Sequence, residues 1–242
     1  MIYNESNIET LKRIPNNSID LVVTSPPYDG LRDYESFVDR ELFKELYRTM
    51  MEGGVLCWNV FDEKINGSYS GSSMKQAIDL MNEGFNLHQY LIYEKNSVAF
   101  PQKKGGKLYT NIFEFVFVFS KGEPKTVNLI CDKKNKWGGR TSYDGKVNVK
   151  EYGVRNSIWK YATSQNDKTN HPAVMPEKLA ADLITSYSNE GDIIYDPYLG
   201  SGTTAKMAYL LNRCWFGSEI SKEYVEMAND RLNKYIKQTR LL

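Results

Sequence analysis

The chain has 242 residues, 41% of them hydrophobic and 25% charged, which fits one globular domain able to bury most of its apolar surface. A net charge of +1 argues against a uniformly basic nucleic-acid coat, and Cys57, Cys131 and Cys214 are too few and too far apart to imply a disulfide framework or a metal cluster. There is no apolar run of membrane-spanning length, and the start Met1-Ile2-Tyr3-Asn4-Glu5 has no signal-like pattern, so the expectation is a soluble cytoplasmic protein with no membrane partner and no metal.

Residues Met1 to Tyr3 read as a short strand and Ile8 to Ile14 as a helical turn or two. The apolar run Ile19-Asp20-Leu21-Val22-Val23 reads as a short buried strand, bounded by Asn16-Asn17-Ser18 before it and by prolines after it. It runs into Thr24-Ser25-Pro26-Pro27-Tyr28. Consecutive prolines donate nothing to a sheet ladder and push the residue before them out of the helical region. The chain therefore leaves the sheet at Ser25 as a stiff, extended hook with an aromatic ring at its tip. Such a hook suits a planar group carrying –NH2: a hydroxyl and a carbonyl accept the two N–H bonds, and the tyrosine stacks on the ring. Two acceptors off the ring plane favour the pyramidal amine, whose lone pair is free to attack. On these residues alone an ordinary strand-to-loop exit stays open.

Phe37, Leu42, Phe43, Leu46, Tyr47 and Met50 are spaced for an amphipathic helix ending at Gly53-Gly54, after which Val55 to Val60 reads as a second buried strand. Gly67 to Ser73 reads as a flexible loop, and Met74, Ile78, Leu80 and Met81 mark a helix that ends near Gly84. Phe85 to Tyr93 and Asn111 to Phe119 look like paired strands joined by the basic loop Gln102 to Lys107. The second has Phe113, Phe115, Phe117 and Phe119 at period two.

Between Lys121 and Lys160 ten basic residues face only four acidic ones, a local asymmetry that suits a polyanion. The surrounding stretch, Gly122 to Asp167, is polar and interleaved with aromatics such as Trp137 and Tyr152. It reads either as a solvated insertion or as a segment whose cations meet phosphates while a few side chains read base edges.

His171-Pro172-Ala173-Val174-Met175-Pro176-Glu177 precedes a helix from Lys178 to Tyr187. Asp192 to Asp196 is then a strand ending in an acid, followed by Pro197-Tyr198-Leu199-Gly200-Ser201-Gly202-Thr203-Thr204 and another helix. Gly200 and Gly202 permit a tight turn with close backbone approach to a ligand, and the helix start offers free N–H groups for a carboxylate or phosphate. By itself the turn, with Ala205 in the third place, also fits the looser form of a dinucleotide site, and it is not a P-loop, since no Walker lysine follows at the required spacing. The next strand, Cys214 to Glu219, ends in an acid placed where a ribose diol is held, or equally as a cap for the following helix.

Ser25-Pro26-Pro27-Tyr28 after a buried strand resembles motif IV of the amino-methylating DNA methyltransferases, and Asp29-Gly30-Leu31-Arg32-Asp33-Tyr34 resembles what often follows it. The His171–Glu177 segment resembles motif X, and Asp196-Pro197-Tyr198-Leu199-Gly200-Ser201-Gly202-Thr203-Thr204 with Glu219 closely resembles motifs I and II. The order, with the catalytic half before the cofactor half, resembles the permuted β arrangement. An aspartate that often follows the first strand in this family is replaced here at the matching positions, Ser6 and Asn7.

The resemblance implies a single methyltransferase domain over residues 1–242, with 122–167 as a target-recognition insertion. Its fold would be α/β and doubly wound, a mostly parallel Rossmann-like sheet with a reversed edge hairpin. S-adenosylmethionine is the implied cofactor, held by Asp196, Pro197, Gly200, Ser201, Gly202, Thr203, Thr204, Glu219 and His171. Ser25, Pro26, Pro27 and Tyr28 are the implied catalytic residues, acting on a base flipped out of double-stranded DNA. Arg32, Lys133, Lys134, Lys136, Arg140 and Arg155 are the implied DNA contacts.

Serine at position 25, in place of aspartate, is typical of members that methylate cytosine N4. Adenine N6 is the alternative, and a non-catalytic cofactor- or DNA-binding module a more distant one. Carbon-5 methylation is disfavoured, because no cysteine follows a proline. A cognate restriction endonuclease, and the choice between monomer and homodimer, are left open.

Overall fold

The structure, a computed structural model, describes residues 1–27, 40–65, 67–96, 109–141, 145, 148–162 and 175–239. The chain opens with β1 (Ile2–Tyr3), α1 (Asn7–Arg13) and β2 (Ile19–Thr24). Next come α2 (Arg40–Thr49), β3 (Met50–Val60), the short strands β4 (Lys64–Ile65) and β5 (Ser68–Tyr69), and α3 (Ser72–Glu83). After β6 (Asn86–Lys95) and β7 (Phe113–Ser120) stand β8 (Lys133–Lys134), β9 (Tyr152–Gly153) and β10 (Ile158–Tyr161). The last part holds α4 (Glu177–Tyr187), β11 (Ile193–Asp196), α5 (Thr203–Leu210), β12 (Cys214–Ser218) and α6 (Lys222–Thr239).

Eight strands form one sheet in the order β1-β12-β11-β2-β3-β7-β6-β10. β7 runs antiparallel to both its neighbours, and every other pair in the sheet is parallel. The architecture is therefore the doubly wound, mostly parallel α/β sheet read from the sequence, with β7 as its reversed strand. The hairpin of β6 and β7 lies one strand in from the edge, because β10 pairs outside β6. Ile158–Tyr161, the last strand among the described residues of the 122–167 segment, thus belongs to the main sheet, and Trp159 and Tyr161 are buried in its core.

Side chains alternate between the two faces of the sheet. Val22, Leu56 and Trp58 face α1, α2 and α3, where Leu11, Phe43, Leu46 and Leu80 cover them. Leu21, Val23 and Cys57 face the other way, under Leu179, Leu183 and Ile184 of α4 and Ala208 of α5. On α3 the buried positions are Ser73, Ala77 and Leu80. Met74, Ile78 and Met81, which with Leu80 mark this helix in the sequence, are exposed.

Gly53-Gly54 is not the end of α2, which stops at Thr49, but part of β3. The register with β2 jumps between Ile19↔Met50 and Leu21↔Val55, so the glycines fill a bulge. There Gly53 donates to the Lys121 carbonyl at 2.7 Å and accepts from Lys125 at 3.0 Å, and its φ is 77°. The segment read as a flexible loop contains β5, which pairs antiparallel with β4.

Connections from the centre of the sheet lead in opposite directions. From β2 the chain moves through α2 to β3 on one side, and from β11 through α5 to β12 on the other. β2 and β11 are parallel neighbours, with Leu21 against Ile194 and Val22 against Tyr195. Their carboxyl ends therefore flank the switch point, where open α/β sheets hold their ligands.

Candidate active site

Each strand delivers a different chemistry to that switch point. β2 ends at Thr24 and hands the chain to Ser25, Pro26 and Pro27, with Pro26 buried and its two neighbours half-buried. β11 ends at Asp196, which is buried. The Thr24 hydroxyl donates to Asp196 Oδ1 at 2.6 Å, and the Tyr198 N–H donates to the same oxygen at 3.0 Å. The Thr204 hydroxyl, at the start of α5, reaches back to the Val23 carbonyl at 3.2 Å. The hook and the glycine turn are thereby tied to one another at their roots. Burial pushes the Asp196 carboxyl up to about 6 against the opposing pull of these hydrogen bonds.

The turn itself is shaped by two demands for glycine. Gly202 has φ 79°, and a Cβ there would lie 3.0 Å from the Ala228 Cβ of α6. Gly217 on β12 leaves room for the turn, since a Cβ would sit 2.7 Å from Leu199 Cδ1 and 3.0 Å from the Asp196 carbonyl. Glu219, just past β12, accepts from the Gly200 N–H at 2.9 Å through Oε2 and from the Ser221 N–H at 2.9 Å through Oε1. Its carboxylate is held in place with lone pairs to spare. The first-turn N–H groups of α5 have no acceptor inside the helix.

Of the residues read from the sequence, Ser25, Pro26, Pro27, Asp196, Pro197, Gly200, Ser201, Gly202, Thr203, Thr204 and Glu219 are gathered at this end of the sheet. Tyr28, Arg32 and His171 lie outside the described residues. Asn7, at a position where the family pattern has an acid, sends Nδ2 to the Pro197 carbonyl at 3.3 Å, and Ser6 caps α1.

Several residues at the site carry no local sequence signal. Asn4 donates to the carbonyls of Glu219 at 2.9 Å and Ile220 at 3.1 Å. Arg231 of α6 donates through Nη1 to Ser201 O, Ser201 Oγ and Thr203 Oγ1 at 3.3, 3.1 and 3.2 Å. Its Nη2 meets Glu177 Oε1 at 2.6 Å, an oxygen shared with Lys206 Nζ at 2.5 Å. Glu177 is pushed up by burial, but the bonds from Lys206 and Arg231 outweigh this and hold it below the usual carboxylate range. Glu177 and Thr24 do have a cue, the first ending the segment that resembles motif X and the second being next to the hook.

The basic segment divides. Lys133 and Lys134 lie exposed on β8, paired antiparallel with Tyr152 and Gly153 of β9. The pairing extends through Asn135 to Glu151 and Gly139 to Val149. Lys136 and Arg140 both stand over the half-exposed Trp137 ring, at 5.2 and 5.1 Å from its centroid. Arg155 is different. Its guanidinium is held by the Asp132 carboxylate, by Asp182 Oδ2 at 2.6 Å and by the Tyr161 hydroxyl at 2.9 Å, over Trp159. These partners make Arg155 an anchor of the segment.

The same anchor shows where the ribbon sits. Asn128 meets the last turn of α4 through the Ser186 carbonyl, while Arg155, itself paired with Asp132, meets Asp182, one turn after Lys178. The chain has thus climbed α4 toward its N-terminus before the ribbon begins. α4 leads into β11, so its N-terminus lies at the carboxyl end of the sheet, on the side of the switch point.

The family described as DNA methylase, covering N6 and N4 methyltransferases, matches residues 19–230. An orphan methyltransferase, M.BamHII of Bacillus amyloliquefaciens, is 48% identical over 93% of this chain and 92% of its own length. The type II methyltransferase M.BglII of Bacillus subtilis is 29% identical over 94% of this chain and 67% of its own. Among solved structures, the cytosine-N4-specific PvuII DNA methyltransferase has a TM-score of 0.75 at 21% identity, covering 94% of this chain and 84% of that one. The M1.HpyAVI complex with SAM has a TM-score of 0.68 at 24% identity, covering 96% and 99%.

Proposed function

The chain belongs to the N6/N4 DNA methylase family, and from that premise we propose that it methylates the exocyclic N4 amine of cytosine in double-stranded DNA. Adenine N6 is the second reading, because both amines present the same pair of N–H bonds. The choice of cytosine rests on Ser25, where the adenine enzymes of the family usually carry aspartate.

The observation that carries the mechanism is the Thr24–Asp196 bond, which puts the hook and the glycine turn on adjoining strand ends. The turn fits S-adenosylmethionine by its donor set. Two buried carboxylates, Asp196 and Glu219, suit a ligand with a cationic end and a ribose diol, and the start of α5 suits its carboxylate. Bound there, the cofactor supplies an electrophilic methyl group on a sulfonium. Glu219, oriented by the Gly200 and Ser221 N–H groups, takes the diol.

On the hook, the Ser25 hydroxyl and the Pro26 carbonyl accept the two amine hydrogens and favour the pyramidal nitrogen. Tyr28 stacks on the base and contributes roughly 1–3 kcal/mol toward holding it out of the duplex. Placement then supplies much of the rate, since the nitrogen needs only the right distance and line of approach. Residues 122–167 serve as the target-recognition insertion. Lys133, Lys134, Lys136 and Arg140 face phosphates, and Arg32 lies on the hook's continuation.

The test is incubation with methyl-labelled cofactor and unmethylated DNA, then digestion to nucleosides and mass spectrometry. Labelled N4-methylcytosine is the expected product. N6-methyladenine would establish the second reading, and no labelled nucleoside would defeat both.

A further inference from the structure

At the carboxyl end of the sheet a polar cluster stands beside the hook without a part in gripping the amine. Glu114 of β7 and Asn59 of β3 are buried, Asn59 to 2% exposure. Asn59 Nδ2 donates to Glu114 Oε2 at 2.9 Å and to the Phe115 carbonyl at 3.1 Å. The other carboxylate oxygen, Oε1, meets Lys95 Nζ of β6 at 2.7 Å, and the lysine side chain keeps 26% of its surface exposed. The same ammonium stands 5.5 Å from the centroid of the Phe61 ring, just past the end of β3. An ion pair held this deep adds little stability over well-packed apolar side chains. Its place at this end of the sheet calls for a use.

Strand pairing sets the cluster against Ser25. Thr24 lies opposite Trp58, so one step further on Ser25 and Asn59 stand level on adjacent strands. Ser25, Asn59, Glu114 and Lys95 are two residues from Val23, Cys57, Val116 and Tyr93 respectively, which share the face under α4. Side chains repeat every second residue, so all four belong to that face. β2, β3, β7 and β6 are consecutive in the sheet. Lys95 bends over β7 toward the end of β3, which leaves its ammonium about two strand spacings, roughly 10 Å, from Ser25. That is the span of a pyrimidine with a hydrogen bond of about 2.9 Å at either end.

Cytosine and adenine differ at that far end. Beside its amine cytosine offers two acceptors, N3 and then O2, whereas adenine offers N1 and then a C2–H. An ammonium has three donors, so Lys95 can meet Glu114 and a base together. Pairing with Glu114 also cancels its charge, which suits a neutral base better than a phosphate.

We infer that Lys95, held by Glu114 and through it by Asn59, donates to O2 of the extruded base and so selects cytosine over adenine. The inference rests on cytosine being the target, and it names the residue that makes the choice. Ser25 and Pro26 grip the amine that both bases share, and Lys95 tests the opposite end. Adenine would set its C2–H against the ammonium and leave a desolvated donor unmet.

The experiment uses the whole protein and unmethylated double-stranded DNA amplified with either ordinary or 2-thio-cytosine nucleotides. Sulfur in place of O2 is a poor acceptor. Methylated cytosine, oxygen or thio form, is counted by mass spectrometry after digestion. Wild type should methylate the oxygen DNA about 10- to 100-fold faster at limiting DNA. Lys95→Met should slow the reaction on ordinary DNA and bring the two rates within about threefold, with cofactor affinity unchanged. Cytosines elsewhere in the site affect every variant alike and cancel from the comparison. Lys95→Arg keeps a donor and should keep most of the preference, and Glu114→Gln, which loosens the lysine, should lose part of it. A wild-type preference retained by Lys95→Met would overturn the inference, since the lysine would then serve packing alone. Should Lys95→Met fold poorly, the double variant with Glu114→Gln removes both charges together and is read in the same way. Methyladenine, or no product, from wild type on ordinary DNA would defeat the cytosine reading and the inference with it; a retained preference defeats the inference alone.

Discussion

Thr24 and Asp196 are separated by 172 residues, yet the threonine hydroxyl donates to the aspartate at 2.6 Å, in a buried bond between adjoining strand ends. One residue ends the strand that presents the hook, and the other ends the strand that presents the cofactor turn. Their bond fixes the spacing between the two strand ends that the proposed methyl transfer uses.

A pH dependence follows from Asp196. Burial raises its carboxyl from 3.8 to about 6, so between those values the folded chain holds a proton that the unfolded chain has released. This group's contribution to stability therefore falls as pH rises through that window. A ligand with a cationic end binds the ionised form better, so cofactor affinity should climb from pH 5 to pH 7. Asp196→Asn should flatten that profile and weaken binding at least about tenfold. Above pH 7 it should also raise the melting temperature of the ligand-free protein, by roughly 2–4 °C per kcal/mol recovered. Calorimetry and thermal melts across pH check both signs; a variant with the wild-type profile would contradict the role.

Ser25→Ala and Tyr28→Ala should each lower methyl transfer strongly, by about 100-fold or more when an interaction made in the transition state is removed. Cofactor affinity should stay within about threefold, because neither residue belongs to the turn. Steady-state kinetics with calorimetry separates the two effects, and full activity in both variants would remove the hook from the chemistry.

Gly202→Ala places a Cβ 3.0 Å from Ala228 at a φ of 79°. Strain of this kind costs on the order of 1–3 kcal/mol. The turn should shift to relieve it, so both thermal stability and cofactor affinity should fall. Unchanged affinity would mean that the turn does not touch the ligand.

The basic ribbon and its anchor should respond differently. Alanine at Lys133, Lys134 or Lys136 should weaken DNA binding and reduce the salt slope by about 0.9 for each phosphate left without its cation. Arg155→Ala takes one of its partners from buried Asp182, which keeps Lys178 and the Tyr161 hydroxyl, so it should lower stability first, by about 1–3 kcal/mol. Binding titrations at several salt concentrations, set beside melts, distinguish these outcomes. An Arg155 variant of normal stability but altered salt slope would return that residue to the DNA surface.

Much of this arrangement was legible in the sequence because it is locally encoded. The apolar run before Ser25, the period-two phenylalanines of β7 and the acid at the end of β11 each follow from a few adjacent residues. Gly53-Gly54 misled because glycine marks a bulge as readily as a helix end, and only the pairing with Lys121 decides which. Met74, Ile78, Leu80 and Met81 marked the helix α3 and its end near Gly84, but hydrophobicity alone does not say which face of a helix meets the sheet, and of the four only Leu80 is buried. Arg155 reads as a DNA-facing cation until Asp132 and Asp182 are seen around it. Arg231 is legible least of all, since its partners lie 28 to 54 residues away on other elements.

The most direct measurement is a crystal structure of the protein with a non-reactive cofactor analogue and duplex DNA carrying its target site. The account predicts an extruded base against Ser25 and Pro26, with its amine about 3–3.5 Å from the position of the transferable group, between the ends of β2 and β11. A cofactor analogue bound away from Asp196 and Glu219, or a target base on the far side of the sheet from Ser25, would contradict it.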